Sequence, residues 1–270
     1  MSLRLYMSML QAELYSRIAW YRRNRSLLVA ELLWPYATIM VLLGLGLGFG
    51  DIERYQETMG IANVILYLLA ASATITVSLG VLDNAASIGL WHRWLGTLPY
   101  IMLSPASLVA YSTLAGIAAA LTTTVTQILS ISPVVVALGG LQSLGVLLVL
   151  ASVLLIGMLP LTMLGTFTAM TALVAKQEGN LLSFIVPLII MVSGVFYPVE
   201  ILPRSLEVLS RVVPLTYVVE AAKLTVNLSS EPWRGLIIAT YSLSAMIVAY
   251  NLIGYVASRL GEKKVRERGY

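Results

Sequence analysis

The 270-residue sequence has no cysteine and one histidine, His92. Without thiols it can form neither disulfides nor thiolate metal sites. Charge is equally scarce. Asp, Glu, Lys and Arg together make up 11% of the chain, and none of them occurs between Trp94 and Ala175. That composition excludes an ordinary soluble domain. No GxxxxGK[ST] string is present, so a phosphate-binding loop of the P-loop type is excluded. HExxH and a carboxylate pair within an apolar run are also missing, which leaves an intramembrane enzyme without the base its nucleophile needs. Alternating strands of about ten residues are absent, which argues against an outer-membrane barrel.

What remains is grease. Hydrophobic residues make up 59% of the chain and the mean hydropathy is +0.87, which reads as an all-α, polytopic membrane protein. A bilayer core about 30 Å thick takes about 20 apolar residues per helix, and the sequence predicts six spans: Leu27 to Gly48, Met59 to Leu82, Pro105 to Leu129, Leu141 to Val174, Asn180 to Tyr197 and Leu236 to Ser258. Ser130–Pro133 and Gly139–Gly140 read as the turn region between the third and fourth spans. Gly157, Pro160 and Gly165 predict a kink in the fourth. The domain reading is an N-terminal amphipathic helix over 1–26, a membrane domain over 27–258 and a basic tail over 259–270. Arg4, Glu13, Arg17, Arg22, Arg23 and Arg25 leave no apolar core for a cleavable signal peptide.

Orientation follows from Lys and Arg. With both termini cytoplasmic, twelve of the 17 basic residues fall inside, among them Arg93, Lys176, Arg259, Lys263, Lys264, Arg266 and Arg268. Arg54, Arg204, Arg211, Lys223 and Arg234 fall outside. Seven spans would place the basic tail outside, so six is the better parity. The expected location is therefore the cell membrane. The net charge of +4 is accounted for by anionic headgroups, and no nucleic-acid partner is needed.

In the N-terminal segment Leu3, Tyr6, Leu10, Leu14, Ile18 and Tyr21 recur at spacings of three and four. The sequence predicts an interfacial helix with Trp20, Tyr21, Arg22 and Arg23 as headgroup anchors. Glu31, the one acidic residue within a span, is expected to snorkel or to pair with an N-terminal arginine. A second unusual stretch is SGVFYPVEILPRSLEVLSRVVPLTYVVEAAK, Ser193 to Lys223. Pro203 suits the start of a short helix and Pro214 its end. Arg204, Glu207 and Arg211 share one face, with Leu202, Leu206, Leu209 and Val213 opposite. A second short helix from Leu215 puts Glu220 and Lys223 one turn apart. Neither helix is long enough to cross a bilayer, so they lie in the outer interface or re-enter. In the loop after the second span, Trp91, Trp94, Leu95 and Leu98 have helical spacing beside His92 and Arg93. Two tryptophans there serve either as a membrane anchor or as a protein-docking surface.

These two stretches resemble the permease subunits of ATP-binding-cassette exporters of the type 2 family. Ser193, Gly194, Pro198, Leu202, Pro203, Pro214, Leu215, Glu220 and Lys223 fit its signature. In HRWLGTLPYIMLSP the matching residues are Gly96, Thr97, Leu98, Ser104 and Pro105, while Pro99 stands where an acidic residue is usual. The resemblance implies that two copies, or this chain and a paralogous permease, pair in the membrane. Each would rest its loop at Trp91, His92, Arg93, Trp94, Gly96, Thr97 and Leu98 on a separate ATPase subunit. ATP and Mg would then be bound by that partner, and this chain would carry no cofactor of its own. Gly194, Pro198, Leu202, Pro203, Pro214, Glu220 and Lys223 would form a re-entrant lid over the exit. Spans rich in Leu, Val, Ala, Thr and Tyr suggest an amphiphilic drug or lipid as cargo. A lipid-linked polysaccharide is the alternative within the family, and a non-transporting scaffold or an intramembrane enzyme are the readings outside it.

Overall fold

The computed structural model describes residues 3–49, 52–61, 63–175, 182–195, 197–227 and 232–268. It is 90% helical, and no strand occurs among the described residues. In chain order the helices are α1 (Leu3–Arg23), α2 (Arg25–Phe49), α3 (Ile52–Met59), α4 (Val64–Trp94), α5 (Leu98–Leu103), α6 (Leu108–Gly139), α7 (Leu144–Gly157), α8 (Leu159–Val174), α9 (Leu182–Val192), α10 (Arg204–Val212), α11 (Pro214–Asn227) and α12 (Pro232–Arg268). Among the described residues four stretches are long and apolar enough to cross a membrane: Val64–Trp94, Leu108–Gly139, Leu144–Val174 and Thr240–Glu267. α2 and α9 stand where the first and fifth spans are expected. Residues 180, 181 and 196 of that fifth span lie outside the described residues, as does Lys176.

Local chemistry fixes the helix ends. The Asn63 side chain caps α4 by accepting from the Leu66 amide at 3.1 Å, and Ser107 caps α6 through the Ala110 amide at 3.1 Å, each serving one of the orphan donors of a first turn. Asn24 separates α1 from α2. Its amide side chain donates to Trp20 O at 3.0 Å, and its own carbonyl accepts from Leu27 N and Leu28 N. Between α7 and α8 the chain breaks at Met158, just before Pro160, where the sequence predicts the kink.

One expected turn is absent. Ser130–Pro133 does not end the third span, because α6 runs through Pro133 to Gly139. A proline inside a helix orphans the carbonyl four residues back. Here that carbonyl belongs to Leu129, and the Ser132 hydroxyl donates to it at 3.1 Å. The same problem arises at Pro35 within α2. Its orphan is Glu31 O, which accepts from the Gln127 side-chain amide of α6 at 3.1 Å. Ser130 Oγ donates to Leu32 O and Tyr36 OH to Ser130 O. Neighbouring side chains can thus keep a proline helix intact in an environment without water.

α4 is the hub. In its most apolar window 72% of residues are buried, against 11% for α12, and it packs on α2, α6, α8, α9 and α11. Because lipid tails are as apolar as leucine, helices in a bilayer associate through close packing, and small residues permit it. A Cβ at Gly165 would stand 2.7 Å from Ala85 Cβ and 3.0 Å from Leu82 O, and one at Gly116 would stand 3.0 Å from Ala85 Cβ. α4, α6 and α8 therefore meet at Ala85. A second, smaller core gathers Leu98, Leu108, Val109, Ala169, Met170, Leu173 and Val265. Val265 belongs to α12, so the residues read as a basic tail are the last turns of that helix, continuous to Arg268.

Candidate functional site

The stretch at Trp91–Leu98 is an elbow. Trp91, His92, Arg93 and Trp94 form the last turn of α4 rather than a separate loop helix. Gly96 ends it with φ +68°. Its amide bonds Arg93 O at 3.1 Å and the Thr97 amide bonds His92 O at 2.9 Å, the pair of reversed bonds that closes a helix through a left-handed glycine. Any residue with a Cβ is strained at that φ. His92 fixes the bend from within. Its Nδ1 is 2.7 Å from Thr97 Oγ1 and its Nε2 is 3.2 Å from Tyr111 OH.

The elbow has two faces. Leu98 is buried in the small core, so it does not share the outward stripe that its spacing predicts. Trp91 and Trp94 pack edge to face with ring centroids 5.8 Å apart, and with Leu95 they are more than half exposed. Tyr100 and Leu103 of α5 are exposed as well, at 74% and 84%, and the sequence reading missed both. Their signal lay in the PYIML string, where a six-residue helix can bury only one side. The result is an outward patch of large apolar residues beside the half-buried Arg93.

The stretch from Ser193 to Lys223 folds as a hairpin with two unlike arms. Gly194 follows α9 with φ +75°, and a Cβ there would meet Val199 Cγ2 at 2.6 Å. Pro198 precedes a single 3-10 turn, Val199–Ile201, which ends at Leu202. Pro203 is the N-cap of α10, its carbonyl accepting from Leu206 N and Glu207 N at 2.8 and 2.9 Å. Pro214 is the first residue of α11, so it opens the second arm as well as closing the first. α10 buries only Ser210. Its surface carries the exposed Arg204 and the Arg211–Glu207 pair at 2.6 Å. α11 buries Leu215, Val218, Val219, Ala221, Ala222 and Thr225, against α4, α7 and α12. Glu220 is exposed and Lys223 half-buried.

Contacts fix the depth of the hairpin in the bundle. Val218 lies over Gly157, where a Cβ would come within 2.5 Å of Val218 Cγ2. Gly157 is near the middle of the 31-residue stretch Leu144–Val174. Tyr250, at the midpoint of the 37-residue α12, donates its hydroxyl to Val212 O at 2.7 Å. The turn joining α10 to α11 therefore reaches about half the height of the bundle. Thr216 Oγ1 donates to Ser210 O at 2.8 Å and Tyr217 OH to Arg211 O at 2.9 Å. With Tyr250 they satisfy three of the carbonyls that a helix C-terminus leaves open.

α1 packs along α6. Tyr6, Leu10, Leu14 and Tyr21 are half-buried as the periodicity predicts, whereas Leu3 and Ile18 are exposed. Arg17 turns inward instead and donates to Asn84 Oδ1 at 2.6 Å and Thr122 Oγ1 at 2.8 Å. Of the four anchor residues, Trp20, Arg22 and Arg23 are exposed. Tyr21 packs against Trp20 at 5.3 Å and hydrogen-bonds Glu31, and burial together with that carboxylate pushes its phenol well above the usual range. Glu31 also accepts from Thr126 Oγ1 at 3.1 Å. These two partners are hydroxyls, where the sequence reading expects snorkelling or pairing with an N-terminal arginine. Between α1, α2, α4 and α9 lies a cavity of about 910 Å³, lined by Glu31, Asp83 and Asn84 beside Trp34, Leu79 and Pro187. Its volume is that of a small-molecule site, and its lining is amphipathic.

Residues 10–226 match the family model for the ABC-2 type transporter. The match includes both the elbow and the hairpin. No curated protein matches the chain.

Proposed function

Since the chain belongs to the ABC-2 type transporter family, we propose that it is the membrane permease of an exporter whose ATP is bound, with Mg, and hydrolysed by a separate ATPase subunit. In this reading α2 and α9 join the four long apolar stretches as the first and fifth of six spans. Both termini and the elbow are cytoplasmic, the protein lies in the cell membrane, and two copies, or this chain and a paralogue, enclose the pathway. α1 lies at the inner interface, and residues 259–268 extend the last span into the cytoplasm.

The observation that carries the reading is the elbow. Large aromatic and aliphatic residues with an adjacent arginine are the usual anchors of a protein interface. Gly96, His92 and the buried Leu98 hold those residues in a fixed orientation, so docking costs little conformational entropy. A push from the ATPase on Trp91 and Trp94 would act directly on α4, the hub of the bundle. The hairpin of α10 and α11 then gates the exit. Charged residues at membrane depth face a cavity or a protein partner rather than lipid, and α10, whose C-terminal end lies at mid-height, carries Glu207 and Arg211 in its last two turns. The amphipathic cavity supports an amphiphilic drug or lipid as cargo.

The test is capture of the partner ATPase by the permease in membranes. Replacing both Trp91 and Trp94 by Ala should reduce capture by about 30-fold or more, the effect of losing about 2 kcal/mol of anchor contacts. The level of inserted permease should be unchanged, because both side chains are exposed. Undiminished capture by the double variant overturns the docking role of the elbow.

A further inference from the structure

We infer that α12 is a rod that carries motion from the cytoplasmic elbow to the hairpin, with Glu262 as the residue that positions its lower end. The inference rests on the permease reading above. Its starting point is an acid in the wrong place. Glu262 lies among the basic residues at the end of α12, yet its side chain is only 5% exposed.

Glu262 ties α12 to the start of α6 directly and is held by two arginines of its own helix. Its Oε1 accepts from the Leu108 amide at 3.0 Å and from Arg266 Nη2 at 2.9 Å, and Oε2 pairs with Arg259 Nη1 at 3.3 Å. Leu108 N is an open donor of the first turn of α6, where a carboxylate is also favoured by the helix dipole. Arg266 extends the tie by donating Nη1 to Met102 O at 2.7 Å, at the carbonyl end of α5, where a cation is favoured. One turn of α12 thereby grips the end of α5 and the start of α6 together. Val265, on the same turn, packs with Leu98 of the elbow.

The other attachment is about 18 Å higher on the same helix, where Tyr250 holds Val212 O of α10. No proline interrupts α12 between the two points. Gly254 and Gly261 lie there, but each is pressed against α8, through Met163 and Met170. An unbroken helix with intact backbone bonds displaces as a unit, so a shift of α5 and α6 at the lower grip arrives at the last turn of α10.

The cysteine-free chain permits a single spin label at Val208→Cys on the exposed surface of α10. In the complex of permease and partner ATPase, in nanodiscs, ATP with vanadate should change the spectrum of this label. Glu262→Gln and Arg266→Ala should each abolish the change while retaining ATPase capture and ATP hydrolysis. Lys263→Ala, an exposed neighbour, should leave it intact. A spectral change that survives in both test variants overturns the inference and leaves the permease reading standing. So does a wild-type complex that forms but whose label does not respond. Loss of ATPase capture by the variants would make Glu262 part of the docking surface, which also overturns it. Failure of the wild-type chain to capture any ATPase removes the permease reading itself. Should Glu262→Gln not fold, Arg266→Ala decides alone, because that side chain is 41% exposed.

Discussion

α10 and α11 are neighbours in sequence, and each carries a charged pair, yet they are held in opposite ways. α11 is gripped along its flank by α4, α7 and α12. α10 buries one serine and is tied at its C-terminal end, where Thr216, Tyr217 and Tyr250 take the carbonyls of Ser210, Arg211 and Val212. The difference teaches what amphipathic patterning can and cannot specify. A hairpin fastened by one arm and by one end of the other leaves the free arm able to swing about the Val213–Pro214 joint. That is the mechanical requirement of a gate.

The comparison breaks most severely if the seat of α11 is filled. Gly157→Leu should have the largest effect. Its side chain would occupy the space of Val218, and overpacking of this kind costs about 1–3 kcal/mol or more. A Tm in detergent lowered by several degrees, with poor insertion, is the expected result, and an unchanged Tm would mean that α11 is not seated there. An intermediate effect is expected at the joint. Thr216→Val removes the hydroxyl that serves the buried end of α10, leaving Ser210 O with the Val213 amide alone and the buried Ser210 hydroxyl without its partner, at a cost of about 1–3 kcal/mol. The same loss should raise the mobility of a spin label at Val208. If mobility is unaltered, the end-tie does not hold α10. The smallest effect belongs to the free arm. Glu207→Gln breaks an ion pair whose arginine is largely in solvent, and such pairs contribute little. The Tm should not change measurably, and a clear drop would show that α10 is anchored along its length.

Much of the hairpin was legible in the sequence because prolines and glycines act locally. Pro203 and Pro214 mark the starts of α10 and α11, and Gly194 and Gly96 stand where the backbone takes a positive φ. The lipid-length helices were legible from composition. What could not be read depends on distant partners. Ser130–Pro133 looks like a turn until Ser132 is seen to serve Leu129 O. Leu98 shares a helical stripe with Trp91 and Trp94, but the left-handed Gly96 turns it into the small core. Arg17 stands outside the apolar stripe of α1 and the sequence offers no partner for it. It bonds Asn84 and Thr122, residues 67 and 105 positions away. Glu262 sits in a charge run that suggests a solvated tail, and only the location of Leu108 N explains its burial.

The proline in α2 has a consequence for biogenesis. Glu31 O, opened by Pro35, is served by Gln127, 96 residues later in the chain. If α2 is the first span of the proposed permease, that donor has not yet been synthesised when α2 leaves the ribosome and enters the membrane. A bare carbonyl in hydrocarbon is costly, so the nascent helix must be kept near water, lipid headgroups or the insertion machinery until α6 arrives. A helix made early is thus among those whose final position is fixed late, and the order of synthesis is not the order of settling.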